Sequence, residues 1–163
     1  MAEIPFKSTK FRVARAMRSG YIGTTPTNLG THTLYNNSTG ANMLVIRDIS
    51  VGCATAGDLI VGGITQTILG AVAGLAVPLV AGMSSLAGLH YYADTATAIS
   101  VDWFAGAGEL AGRFPHDFPL AILQPGWGFA VQDKTAAHQM MCSFIWEMLD
   151  PADVYFRELM DQP

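Results

Sequence analysis

From residue 31 onward the chain alternates between short apolar runs and turn-forming residues, and the alternation has a period of two. "THTLYN" (31–36) reads as a strand that ends in "NSTG". In 42–51, Met43, Val45, Ile49 and Val51 share one parity, with Arg47 interrupting it. "DLIVGG" (58–63) is a short apolar run ending in glycines. In 96–104, Ile99, Val101 and Trp103 face one way, Ser100 and Asp102 the other. "GAGELAG" (106–112) reads as a flexible connection. Alternation of this kind puts successive side chains on opposite faces of a sheet.

The last third repeats the signal. "FPLAILQ" (118–124) runs into "PGWG", where Pro125 and Gly126 suit the central positions of a type II turn. Trp127, Phe129 and Val131 then alternate with Gly128 and Ala130. Met140, Cys142, Phe144 and Trp146 share a face in 138–147. Strands at this spacing with turns between them predict an all-β sandwich or barrel. Trp103, Trp127, Phe129, Phe144 and Trp146 are its expected core. Asp150 and Pro151 suit the N-cap and first position of a helix, so a short helix is expected from 151 to about 160.

One segment breaks the pattern. "ILGAVAGLAVPLVAG" (68–82) has no polar side chain, and 59–93 carries no charge. Gly70 and Gly74 form the GxxxG of packed membrane helices. Yet Ile68–Met83, at 1.5 Å per residue, would span only about 24 Å of a hydrocarbon core about 30 Å thick. Pro78 sits near its centre, and the nearest charges are Asp58 and Asp94, with no Lys or Arg to anchor a span. The segment is therefore expected as buried strands covered on both faces, with Pro78 at an edge or bulge. Leu75, Val77, Leu79 and Val80 are the expected subunit interface, and no membrane is expected as a partner.

Charge sharpens this division. Only 13% of residues are charged against 50% apolar, which is low for a freely diffusing monomer and points to a homo-oligomer. Lys7, Lys10, Arg12, Arg15 and Arg18 crowd the first 18 residues against Glu3, while 147–163 is acidic. Phe11 lies among those cations, as does Phe6. The expected organisation is a basic N-terminal arm (1–29), a β-sandwich (30–148) and a C-terminal short helix and tail (149–163). The arm's Lys7, Lys10, Phe11, Arg12, Arg15 and Arg18 are the candidate partner contacts. No apolar leader opens the chain, so no signal peptide is expected.

Chemistry is sparse. His32, His90, His116 and His138 show no ligand spacing with one another or with Cys53 and Cys142, so they are expected at the surface or at strand ends. The two cysteines are expected as reduced core thiols. "NNST" (36–39) reads as a turn rich in side chains that bond the backbone. "GAGELAG" lacks the Lys-Ser/Thr of a phosphate loop, and no two carboxylates suggest an acid and a base. Neither an enzyme, a metal, a cofactor nor specific nucleic-acid binding is expected.

Two segments carry a resemblance. "LYNNSTGANMLVIRDISV" (34–51) and "HDFPLAILQPGWGFAVQDKTAAHQMMCSFIWE" (116–147) resemble the opening and closing strands of jelly-roll-like domains in tailed-bacteriophage virion proteins. The resemblance covers about 50 residues and implies a jelly-roll-like antiparallel β-sandwich, often trimeric. It implies a head decoration or cement protein on the capsid exterior, bound to the major capsid protein. The alternative within the resemblance is a fibre, spike or adaptor module that binds a receptor or glycan through Trp127 or Tyr91-Tyr92.

Overall fold

A computed structural model describes residues 16–22, 29–65, 72–73, 76–83, 87–94, 101–113, 121–135, 138–153 and Arg157; within 21–22, 54–58, 72–73, 93–94 and 101–113 it describes the backbone alone. These residues form β1 (Ala16–Ile22), β2 (Gly30–Tyr35), β3 (Met43–Ile64), β4 (Val72–Ala73), β5 (Ala76–Pro78), β6 (Leu89–Asp94), β7 (Val101–Arg113), β8 (Ala121–Leu123), β9 (Gly128–Asp133) and β10 (Met140–Leu149). All the pairings between them are antiparallel.

The hydrogen-bonded path runs β4-β6-β2-β9-β3-β10-β1-β5, with β7 and β8 also on β3. The 22-residue β3 belongs to two layers. Its first half pairs with β10 and β8, its second half with β9. One layer is therefore β5-β1-β10-β3 and the other β4-β6-β2-β9-β3. They meet face to face: Phe129 of β9 packs edge-on against Phe144 of β10 at 6.3 Å, and His90 of β6 against the same ring at 4.9 Å. Leu34, Leu44, Ile46, Ile49, Val131, Met140 and Trp146 fill the space between.

The register explains where the simple alternation fails. Ile145 pairs with Asp48 and Trp146 with Ile46, leaving Arg47 as the extra residue of a β-bulge. The bulge switches parity, so Leu44 and Ile46 face the core before it and Ile49 and Val51 after it. Met43 and Val45, expected on the core face, lie with Ile122 and Leu149 in a separate cluster.

Three further expectations are corrected. Residues 16–22 are not part of an arm: β1 lies between β10 and β5, with Ala16, Met17 and Ser19 buried. Only Met17 among the alternating core positions 17 and 19 is large and apolar, so the strand is hidden by its small residues and its Arg18. Residues 106–112 are not a loose connection but part of β7, because pairing with β3 outweighs the weak strand propensity of glycine. And β9 is buried on both faces, not on one. The Pro-Gly turn is as expected: Gly126 has φ 84°, and Trp127 N–H donates to Gln124 O at 3.0 Å.

At the C-terminus, Ala152 N–H donates to Asp150 Oδ1 at 2.8 Å, as an N-cap requires, and Arg157 N–H donates to Asp153 O. The rest of the expected helix lies outside the described residues. No helix among the described residues is long and apolar enough to cross a membrane. The described pieces of the uncharged segment are the end of β3, β4, β5 with the turn that follows it, and most of β6.

Candidate functional site

Two places in the described structure hold more than packing. The first is the edge at β5. Among the described residues this strand pairs with β1 alone, in the register Met17↔Pro78, Arg18↔Val77 and Ser19↔Ala76. Pro78 has no N–H to donate, which fits an edge position. Beyond it Leu79 N–H donates to Ala16 O at 2.9 Å, and a turn at Gly82 (φ 82°) follows. Val77, Leu79 and Val80 are half-buried and Met83 is 49% exposed. Arg18 is exposed. The structure thus makes a residue of the predicted arm and one of the predicted interface cross-strand partners. Leu75, Lys7, Lys10, Phe11, Arg12 and Arg15 lie outside the described residues.

The second place is inside the sandwich. His32 of β2 and His90 of β6 are buried at 0% and 1% exposure, which corrects their expected surface placement. His32 Nδ1 lies 3.0 Å from His90 Nε2, His32 Nε2 lies 3.1 Å from Met140 O, and His90 Nδ1 lies 3.0 Å from Ser19 Oγ. Tyr92 stacks obliquely on His32 at 4.9 Å. Burial pushes His32 down to about 4; burial, and next the proximity of His32, push His90 down to about 3. Both rings are neutral at pH 7. A sequence signal for them existed: His32 shares parity with Leu34, and His90 with Tyr92.

A buried ion pair lies behind the same sheet. Arg47, the bulge residue, donates through Nε to Glu147 Oε1 at 2.7 Å and also through Nη2. Glu147 is fully buried, beside the Val45–Leu149 cluster. Cys142 is buried and unbonded to Cys53, and burial raises its thiol well above the ordinary range. Among the described residues no group of three or more His, Cys, Asp or Glu is placed to hold a metal.

No family model, curated protein or solved structure matches this chain.

The other predicted residues divide clearly. Phe129, Phe144 and Trp146 are fully buried core, and Trp127 is half-buried against it. The side chain of Trp103 lies outside the description. Of the rings expected to stack on a sugar, Tyr92 is buried at 3% exposure and Tyr91 and Trp127 are half-buried.

Proposed function

We propose that the chain is a non-enzymatic virion structural protein, a decoration or cement subunit that self-associates, with trimers favoured, and binds the outside of a capsid shell. The observation that carries the self-association is the β5 edge: a three-residue strand with Val77, followed directly by apolar Leu79 and Val80, inside a 35-residue stretch without charge. Natural edge strands are usually guarded by charge, and among the described residues this one has Arg18 beside it. Covering such a surface contributes roughly 25 cal/mol per Å² of apolar area.

The virion assignment and the jelly-roll winding rest on the resemblance and on two features consistent with it. The first strand lies beside the last (β1–β10) and the second beside the penultimate (β2–β9), the nesting expected when a long antiparallel ribbon is rolled up. The two segments that carry the resemblance are also knotted together by Asn36. Its N–H donates to Trp127 O, its O accepts from Gly126 N–H, and its Nδ2 donates to Leu123 O. The basic arm would supply the shell contact; a truncation that removes only the arm ends at residue 15, since β1 begins at Ala16.

The test is Leu79→Asp in the full chain. Sedimentation should show the native oligomer replaced by monomer with the β circular-dichroism spectrum kept. A native chain that is already monomeric at micromolar concentration, or an L79D oligomer of unchanged size, overturns self-association through this edge.

A further inference from the structure

Two imidazoles in direct hydrogen-bond contact, in the middle of an apolar core, need a complete set of partners to be tolerated. Here the set is complete and it has a direction. Met140 O can only accept, so His32 Nε2 carries a proton. The neutral ring then accepts at Nδ1, so His90 Nε2 donates to it. That leaves His90 Nδ1 to accept from the Ser19 hydroxyl. Three bonds run one way, from Ser19 to Met140. They cross the sandwich twice: Ser19 and Met140 belong to β1 and β10, His90 and His32 to β6 and β2.

We propose that this chain is an acid-release staple between the two sheets, which holds with no added proton or with one and opens when it has taken two. The count follows from the geometry. With one extra proton the rings share three protons over four nitrogens. His90 Nδ1–H then donates to Ser19 Oγ after the hydroxyl turns, and one N–H still bridges the rings. Every bond survives, whichever ring carries the charge. A second proton, taken from solvent, has only the bridging position left. There N–H meets N–H across 3.0 Å between two cations: the central bond, between the neighbouring strands β6 and β2, is lost, and the repulsion of two charges buried in an apolar core is relieved when the layers part and water reaches the rings.

Among the described side chains, the ionisable groups around the rings offer little to relieve that charge. From β6 the neighbour is Tyr92, and from β10 and β3 they are the thiols of Cys142 and Cys53, all neutral. On the core-facing row of β9 the group is Asp133, which accepts from Thr135 N–H at 2.7 Å and lies 3.3 Å from His138 Nδ1 at the β9–β10 turn. On β1, Arg18 is on the exposed face, and the Arg47–Glu147 pair lies on the face of β3 and β10 away from the rings.

The sign follows from the lowered affinity of both rings. Their contribution to stability is whole above the ordinary imidazole value of 6.5 and is lost as pH falls from 6.5 toward about 4 and about 3. Between about pH 6 and about 4 the opened state binds two protons that the closed state lacks. The opening constant therefore rises about 100-fold per pH unit, against about tenfold for a single histidine.

Hydrogen–deuterium exchange of the β1 and β6 amides in the full chain, corrected for the intrinsic pH dependence of exchange, reads this constant. The wild type should gain about 100-fold per unit below pH 6. His90→Gln keeps a donor and an acceptor and should reduce the gain to about tenfold. A wild-type gain of tenfold or less, or an unchanged gain in H90Q, overturns the staple. If H90Q does not fold, imidazole 15N shifts of the wild type decide. Both rings should be neutral with the proton on Nε2 at pH 7; a proton on Nδ1 of His32, or titration of either ring near 6.5, overturns it.

Discussion

Gly88 offers the sharpest test of how the core is locked. It has φ 120°, a conformation closed to residues with a Cβ. A Cβ there would lie 2.5 Å from Trp146 Nε1 and 2.8 Å from its Cε2. The indole cannot simply retreat. Trp146 is fully buried and its Nε1–H donates to Ala87 O at 3.1 Å, while Gly88 N–H donates to Asn37 Oδ1 at 2.8 Å. Gly88→Ala therefore meets three penalties: backbone strain of about 1–3 kcal/mol, overpacking of about 1–3 kcal/mol, and a lost indole bond of about 1 kcal/mol. A total of about 3–7 kcal/mol is a large part of the roughly 5–15 kcal/mol that holds a typical domain. Urea unfolding followed by tryptophan fluorescence measures it. The double variant G88A/W146F separates the causes: it removes the clash with Nε1 but keeps the strain, so it should still be less stable than W146F alone by about 1–3 kcal/mol. A G88A midpoint within 1 kcal/mol of wild type would refute the argument, because neither the φ nor the indole would then be fixed.

Two other predictions use buried polar groups. Asn36 Nδ2 donates to Asn42 O at 3.0 Å and to Leu123 O at 2.9 Å, so Asn36→Asp sets a carboxylate oxygen against two carbonyls; a loss of about 3 kcal/mol or more in urea unfolding is expected, and a loss under 1 kcal/mol would show that the side chain can turn away. Glu147→Leu removes the carboxylate that the buried Arg47 bonds and should cost about 3–5 kcal/mol, whereas R47M/E147L, which removes both charges, should lie near wild type; equal losses in the two variants would mean that the pair is held for its geometry and not its charge.

The sheet was legible wherever one face is apolar and the other is not. β10 shows this best: Met140, Cys142, Phe144 and Trp146 alternate inward in the sequence and in the structure. Legibility fell where burial is two-sided or where backbone pairing, and not side chains, defines the strand. The glycines and alanines of 106–112 carry no pattern, yet they complete the register with β3. The 43–46 parity was misread because one bulge at Arg47 turns the strand over, and nothing in a local window marks an extra residue. The edge at β5 was visible through Pro78 and the missing charge; the staple was not. A histidine on an apolar parity suggests burial, but it does not say which other histidine lies opposite, since His32 and His90 are 58 residues apart.

β1 joins the two candidate sites. Ser19 enters the core to meet His90 with its side chain, and its backbone stands opposite Ala76 on the edge strand. Arg18, one residue before it, turns outward opposite Val77. Ala16, Met17 and Ser19 of this strand are buried, and pairing with β10 and the staple help to hold it in place. Losing the bond between His90 and His32 breaks the chain that runs from Ser19 to Met140, and it does so beside the strand on which β5 rests. A core that takes up two protons would thus loosen first at the edge proposed for self-association, and occupancy of that edge by a second copy would hold the staple closed by mass action.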